Sequence, residues 1–131
     1  MAFKLYSTDD GHVPAWEYLP CSAMKPQIGM GLAVNETTGL LAVSTTPKYI
    51  AMRVEDKNVA SGTLIPVVKL APDQVWESAL ASAANVKAGK AVDVASGGLL
   101  VDATATANKN FTLTYLAGTA EGSAVRGRFN G

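Results

Sequence analysis

The sequence predicts an all-β protein, a small β-barrel or β-sandwich, and three observations support this class. From position 29 onward, short apolar runs alternate with turn residues, as in all-β domains. Several runs alternate apolar and polar side chains with a period of two, as half-buried strands do. The glycine and aliphatic pattern of the first half recurs about sixty positions later. We therefore predict two related β-units that share one core, preceded by an extended N-terminal arm.

The repeat consists of three pairs of segments. The pairs are 29–34 with 89–94, 39–45 with 98–104, and 60–65 with 120–125. The second pair is offset by one residue less than the other two, which predicts a shorter loop in the second copy. Glycine and aliphatic residues recur whereas no reactive side chain does. The pattern indicates a duplicated scaffold, with pseudo-repeats at about 29–70 and 89–129 inside a single β-domain of residues 27–131, and it points away from catalysis.

Composition limits the partners. Of the 131 residues 48% are hydrophobic and only 17% are charged, and 11 basic side chains balance 11 acidic ones. A neutral surface exerts little long-range attraction on nucleic acid or anionic lipid, so we expect neither as a partner. A charge-poor surface is easier to desolvate against another protein. The single cysteine, Cys21, and the lack of an apolar signal-like start lead us to expect a protein made in a cytoplasm.

Residues 1–26 are predicted to form the arm. Three prolines, Pro14, Pro20 and Pro26, oppose a helix and favour extended or turn conformations. The same segment holds four aromatic side chains, at Phe3, Tyr6, Trp16 and Tyr18. Two interpretations are open: a lid packed on its own domain, or an arm that docks on a neighbouring subunit. We expect the second, because aromatic side chains dominate interface energies.

Eight strands are predicted in order along the β-domain. They are residues 32–34, 40–44, 49–54, 63–69, 90–94, 99–104, 111–117 and 124–129. Pro66 lies inside the fourth run, and because proline cannot donate to a ladder, we expect an edge or a bulge there. The stretch 73–86 is compatible with a helix capped by Asp73 or with a strand at 75–79, and we favour the strand.

No residues are predicted to be catalytic, to bind a cofactor or to bind a metal. The only histidine, His12, stands beside Asp9 and Asp10 in a turn-like segment and has no nucleophile motif to serve. One histidine and one cysteine cannot supply a structural zinc site. Arg126 and Arg128 share one strand face, typical of a solvated face or of rim contacts in an oligomer. We therefore expect no enzyme.

The order of several motifs resembles a known family. These motifs are YLPC at 18–21, GMGL at 29–32, TPKYIAM at 46–52, GTLIPV at 62–67, QVWES at 74–78 and GSAVRGRF at 122–129. The chain is similar to head decoration (cement) proteins of tailed phages and prophages of Gram-positive bacteria. The resemblance implies a β-rich virion protein, often trimeric, that sits on the capsid surface and binds the major capsid protein.

Partner contacts are therefore expected from the arm aromatics and the two arginines. These residues are Phe3, Tyr6, Trp16, Tyr18, Arg126 and Arg128. Two alternatives to decoration stay open. The chain is also compatible with another head or tail structural component of a phage, or with a small ligand-binding module of the carbohydrate-binding kind.

Overall fold

The computed structural model describes residues 2–104 and 107–130. Residues 105 and 106, inside the second predicted repeat, and the two terminal residues lie outside this description. The described residues form eleven β-strands and no helix, so the predicted all-β class is confirmed. The strands are β1 (Lys4–Thr8), β2 (Glu17–Cys21), β3 (Gly31–Val34), β4 (Leu41–Val43), β5 (Tyr49–Ala51), β6 (Thr63–Lys69), β7 (Gln74–Ala79), β8 (Ala91–Val94), β9 (Val101–Asp102), β10 (Phe111–Leu116) and β11 (Ala124–Phe129).

Strands β2 to β6 close into a five-stranded barrel in the order β2-β4-β3-β5-β6. Neighbouring strands are antiparallel except β2 and β4, which meet in parallel at Cys21 and Leu41. Apolar side chains fill the interior, so the barrel is a packed core with no channel. The buried members are Cys21, Met30, Leu32, Leu41, Ala51, Ile65 and Val67.

The other six strands form a sheet in the order β1-β7-β11-β10-β8-β9. A parallel bridge between Leu80 and Val101 brings β7 to β9, so β7 to β11 curl into a second ring. Strand β1 pairs with residues 74–77 of β7, on the side of β7 away from β11. Four aromatic rings pack edge-on or tilted in this core, at Phe3, Trp76, Phe111 and Phe129.

The two rings repeat the same strand order, with β2 to β6 matching β7 to β11 in turn. In the β3–β4 hairpin Val34 pairs with Leu41, and in the β8–β9 hairpin Val94 pairs with Val101, sixty residues later in both strands. The two hairpin loops therefore have equal length, and the predicted shorter loop is wrong. The turn glycine stands one position earlier in the second loop, at Gly98 against Gly39. This explains why the second pair of sequence segments is offset by one residue less than the others.

The contact that closes each ring is also repeated. The Ser22 N–H donates to the Leu41 carbonyl oxygen at 2.9 Å, and the Ala81 N–H donates to the Val101 carbonyl oxygen at 2.8 Å. Each of these bonds joins the end of the unit's first strand to its third strand. The repeat seen in the sequence thus corresponds to a repeat of backbone geometry.

The prediction of one shared core is wrong, because the buried side chains form two clusters. Strands β5 and β6 separate the clusters and are buried on both faces. Ala51 and Val67 point into the barrel, whereas Ile50 and Val68 pack in the second core. Residues 49–51 therefore do not have one buried face and one solvent-facing face, because the outer face of β5 meets the second unit.

The predicted arm of residues 1–26 is built into both units. Lys4–Thr8 pairs with β7, and Glu17–Cys21 lies between β6 and β4. Pro20 is tolerated in β2 because its nitrogen faces the β4 side, which β2 meets only at Cys21. The predicted boundary at residue 26 therefore does not separate an arm from a domain.

Two further expectations concern β6 and β7. The strand expected at 75–79 is confirmed as β7, and Trp76 in it is buried. Pro66 is not on a sheet edge, since β6 has β2 on one side and β5 on the other. The Pro66 carbonyl accepts from the Met52 N–H at 2.9 Å, just past the last residue of β5. In any other residue the N–H at position 66 would point to this same side. Strand β5 ends at Ala51, so proline is tolerated there because no regular β5 pairing is lost.

Candidate interaction surface

Phe3, expected to contact a partner, is a core residue with 3% of its surface exposed. Its ring lies 5.0 Å from that of Phe129 and 5.6 Å from that of Phe111, between ring centroids. Its N–H donates to the Gly29 carbonyl oxygen at 3.1 Å, which ties the start of β1 to the first unit. Because the side chain is buried inside its own chain, it is not available to a partner.

Trp16 and Tyr18 lie on the outer surface of the first barrel, with 44% and 61% of their surfaces exposed. Tyr18 pairs across the strands with Pro66, and Pro20 pairs with Leu64, which is itself 61% exposed. Residues opposite each other in a ladder share a face, so these side chains form one patch. We call the exposed Trp16, Tyr18 and Leu64, together with the half-buried Pro20 and the buried Pro66, the β2–β6 face.

Sequence reasoning missed Leu64 as a surface residue. It lies in an unbroken apolar run from Leu64 to Val68, in which the two faces of the strand look alike. The buried Pro66 divides this run, and the pairing with β2 places Leu64 outside the barrel. A shallow pocket of about 220 Å³ adjoins Leu64, and its wall combines apolar residues such as Pro26 and Val54 with the charged Arg53, Glu55 and Lys57.

Tyr6 belongs to a different surface, on the second sheet. The Arg126 guanidinium carbon lies 3.9 Å from the centroid of the Tyr6 ring and 4.6 Å from that of Tyr115. Arg126 Nε donates to Glu77 Oε2 at 2.8 Å, and this bond raises the pKa of the arginine. The cation is thus stacked and paired inside its own chain across four neighbouring strands.

Arg128 is also occupied within the chain. Its two terminal nitrogens donate to both carboxylate oxygens of Asp9, at 3.1 and 2.8 Å. One of them, Nη1, also donates to the Pro72 carbonyl oxygen at 3.0 Å. A bidentate bond of this type fixes geometry as well as charge. Arg128 therefore fastens the segment after β1 to the segment before β7.

The predicted contact residues thus fall into three places. Phe3 is in the core, Trp16 and Tyr18 are together on the β2–β6 face, and Tyr6 lies with Arg126 on the second sheet. Arg128 is at the end of that sheet, joined to Asp9. On the β2–β6 face the exposed apolar side chains of Tyr18 and Leu64 lie on two paired strands, and the exposed Trp16 comes directly before β2.

The reactive residue types are scattered. Cys21 is buried in the barrel, and burial raises the pKa of its thiol. His12 is exposed in a turn, where its backbone N–H donates to Asp10 Oδ1 at 2.9 Å. In residues 2–104 and 107–130, no three histidine, cysteine, aspartate or glutamate side chains gather as metal ligands would.

Comparison of the chain with protein-family models, with curated proteins and with solved structures gives no match. Among the described residues, no helix has the length and apolar character needed to cross a bilayer.

Proposed function

We propose that this protein is a virion structural protein, a decoration (cement) protein that binds the assembled head of a tailed phage and stabilises it. The motif order that resembles the decoration family supports this proposal. The observation that carries it is the β2–β6 face, an exposed apolar patch on the wall of a closed barrel. The partner is the major capsid protein, and the protein acts as a homo-oligomer, with a trimer favoured.

The scaffold suits a clamp. The closed first barrel presents Tyr18 on a hydrogen-bonded wall with Trp16 directly before it, so little conformational entropy is lost when they dock. Aromatic side chains of this size each bury roughly 150–250 Å². The five residues of the β2–β6 face are all uncharged, so the patch itself adds no ion to desolvate on docking, and the nearest charged side chains, Arg53, Glu55 and Lys57, line the pocket beside Leu64. These properties favour a permanent protein–protein contact over a reaction site.

Stabilisation follows from mass action. A protein that binds the assembled head but not the free subunits favours assembly by its own binding free energy, about 2.7 kcal/mol per site at a hundredfold excess over Kd. Many copies on one lattice multiply the effect, because each site contributes separately.

The test is co-sedimentation with expanded heads assembled from the major capsid protein of the genome that encodes this chain. The wild-type protein should sediment with these heads, saturate at a fixed copy number and raise their melting temperature. The double variant Tyr18→Asp/Leu64→Asp should lose this binding, since it places two charges on the β2–β6 face. Tyr6→Asp, on the second sheet, is the matched control and should still bind. Wild-type protein that stays in the supernatant would overturn the proposal.

One observation also bears on the carbohydrate-binding alternative. Trp16 and Tyr18 are exposed side by side, and aromatic rings of this type can stack on sugars. Trp76, in contrast, is buried, with its Nε1–H donating to Gln74 Oε1 at 3.0 Å. The only other tryptophan thus cannot extend the platform. A change in Trp16 fluorescence on titration with cell-wall oligosaccharides, lost in Trp16→Phe, would favour this alternative.

A further inference from the structure

We infer that the first barrel accepts a β-strand from another polypeptide along the edge of residues 15–18, beside the β2–β6 face. This inference rests on the proposed function, because it takes the strand donor to be the capsid subunit. The internal repeat provides the argument. The same edge exists in both units; it is covered by a strand in one and is open in the other.

The two edges correspond residue by residue. In the first unit Glu17 of β2 pairs with Val67, and in the second Trp76 of β7 pairs with Gly127, sixty positions after Val67. Tyr18 accordingly corresponds to Glu77, the next residue in β7. Strand β7 is covered on its other side by β1, whose Lys4–Thr8 pairs with residues 74–77. Residues 15–18 occupy the equivalent stretch of the first unit.

The backbone of this stretch faces outward and is unpaired. The Ser22 N–H donates towards β4, and backbone groups alternate sides along a strand, so those of Tyr18 face the same side as Ser22. Trp16 comes directly before β2, two residues from Tyr18. β4 meets β2 only at Cys21. In the described part of the chain no backbone group pairs with Trp16 or Tyr18 on that side. An open row of donors and acceptors of this type is a template for strand addition.

The side chains specify what the incoming strand should carry. In the second unit Leu5 of β1 lies opposite Trp76, and Lys4 lies opposite Glu77. The equivalent residues of the first unit are Glu17 and Tyr18. A strand added antiparallel here would need a lysine or arginine opposite Glu17 and an apolar residue opposite Tyr18. The occupant is therefore an extended segment with a basic residue next to an apolar one, the apolar residue lying beside the β2–β6 face.

A second copy of this chain is a poorer donor. The strand that fills the equivalent edge is β1, and β1 is held in place by the buried Phe3. Its transfer to a neighbouring copy would remove Phe3 from contact with Phe111 and Phe129. We therefore assign the edge to an extended segment of the capsid subunit.

Hydrogen exchange tests the assignment directly. In the free protein the amides of Trp16 and Tyr18 should exchange quickly, whereas those of Val75 and Glu77, which β1 covers, should be protected. On expanded heads the peptide spanning residues 13–19 should gain protection of about two amides. Binding to heads without this protection would overturn the inference and leave the proposed function standing. Protection in the isolated protein that rises with its concentration would also overturn it, since the occupant would then be a second copy.

Two variants of Tyr18 distinguish the contribution of its backbone N–H to binding from the contribution of its ring. Tyr18→Pro removes the outward N–H, and Tyr18→Ala, its matched control, removes the same ring but keeps the N–H. Both should fold, because proline is accepted where the N–H faces solvent. Tyr18→Pro should bind heads about tenfold more weakly than Tyr18→Ala, the effect expected for one lost hydrogen bond with its acceptor left unpaired. Equal affinities of the two variants would contradict strand addition. If wild-type protein does not bind heads, the proposed function fails and this inference fails with it.

Discussion

The backbone N–H of Gly31 donates to the carbonyl oxygen of Gly98 at 2.7 Å, and this bond joins the two units. Gly31 begins β3 of the first unit, and Gly98 lies in the β8–β9 turn of the second. Gly98 has φ = +71°, a backbone conformation that residues other than glycine rarely adopt. A Cβ atom on Gly98 would lie 2.8 Å from the Gly31 carbonyl oxygen. The contact between the units therefore depends on glycine at this position.

We expect Gly98→Ala to destabilise the protein by about 1–3 kcal/mol, since it combines an unfavourable φ with a backbone clash. Chemical denaturation followed by circular dichroism measures this. The neighbouring Gly97→Ala is the matched control, because Gly97 also has a positive φ, of +93°, but a Cβ there has no atom within 4 Å. The difference between the two variants isolates the contact between units. Equal losses would mean that the packing of Gly98 on Gly31 contributes nothing.

The repeat was predictable from the sequence because its glycines are structural. Gly29 and Gly89 both have positive φ, and each donates its N–H to the unit's antiparallel partner strand, at Ala51 and Leu113. Glycine is favoured at such positions because other residues rarely adopt a positive φ. The first strand of each unit was not predicted as a repeat. Its two copies share no such glycine, and β2 carries Pro20 while β7 carries Trp76.

The contact surface was only partly predictable. Composition identified the aromatic residues of the N-terminal segment, but it could not separate Phe3, which is buried, from Tyr18, which is exposed. That difference comes from long-range pairing: β1 joins the second unit and β2 the first. Leu64 joins Tyr18 on the β2–β6 face only through the register of β2 with β6, which no local pattern encodes.

Phe3→Ala should reduce stability far more than binding. Loss of a buried phenylalanine typically costs about 3–5 kcal/mol, because it removes apolar burial and leaves a cavity. Tyr18→Ala, in the same N-terminal segment but exposed, should change stability by within about 0.5 kcal/mol. Urea denaturation measures both. A loss for Phe3→Ala as small as that for Tyr18→Ala would show that the whole segment is a surface arm.

Cys21 should be inert in the folded protein. The thiol is buried, and burial raises its pKa from the usual 9.0, so the reactive thiolate is scarce at neutral pH. Alkylation by iodoacetamide at pH 8 should proceed only as fast as the protein unfolds, whereas the urea-unfolded chain should react at once. Rapid labelling of the native protein would show that the barrel opens.

The same raised pKa gives a pH dependence. Above pH 9 the unfolded thiol loses its proton before the folded one does, so the folded state binds more protons and stability falls as pH rises. Well below pH 9 the thiol is protonated in both the folded and the unfolded state, so no stability is lost there. The free energy of unfolding should decline more steeply between pH 8.5 and 10 in wild type than in Cys21→Ala. Parallel profiles would contradict a perturbed thiol.

Arg128→Met should loosen the segment of residues 9–16. Arg128 holds Asp9 with two hydrogen bonds and also binds the Pro72 carbonyl, so its guanidinium anchors the link between β1 and β2. The methionine keeps an apolar stem of similar length but loses all three bonds. Limited proteolysis should then cut this segment several times faster, and high salt should reduce the difference by screening the wild-type ion pair. Lys25→Met is the matched control. Its ion pair with Asp56 is exposed and 3.6 Å long, so the loss of this pair should leave the cleavage rate of residues 9–16 unchanged. If Arg128→Met is cut no faster than Lys25→Met, the bonds of Arg128 to Asp9 and Pro72 do not hold this segment in place.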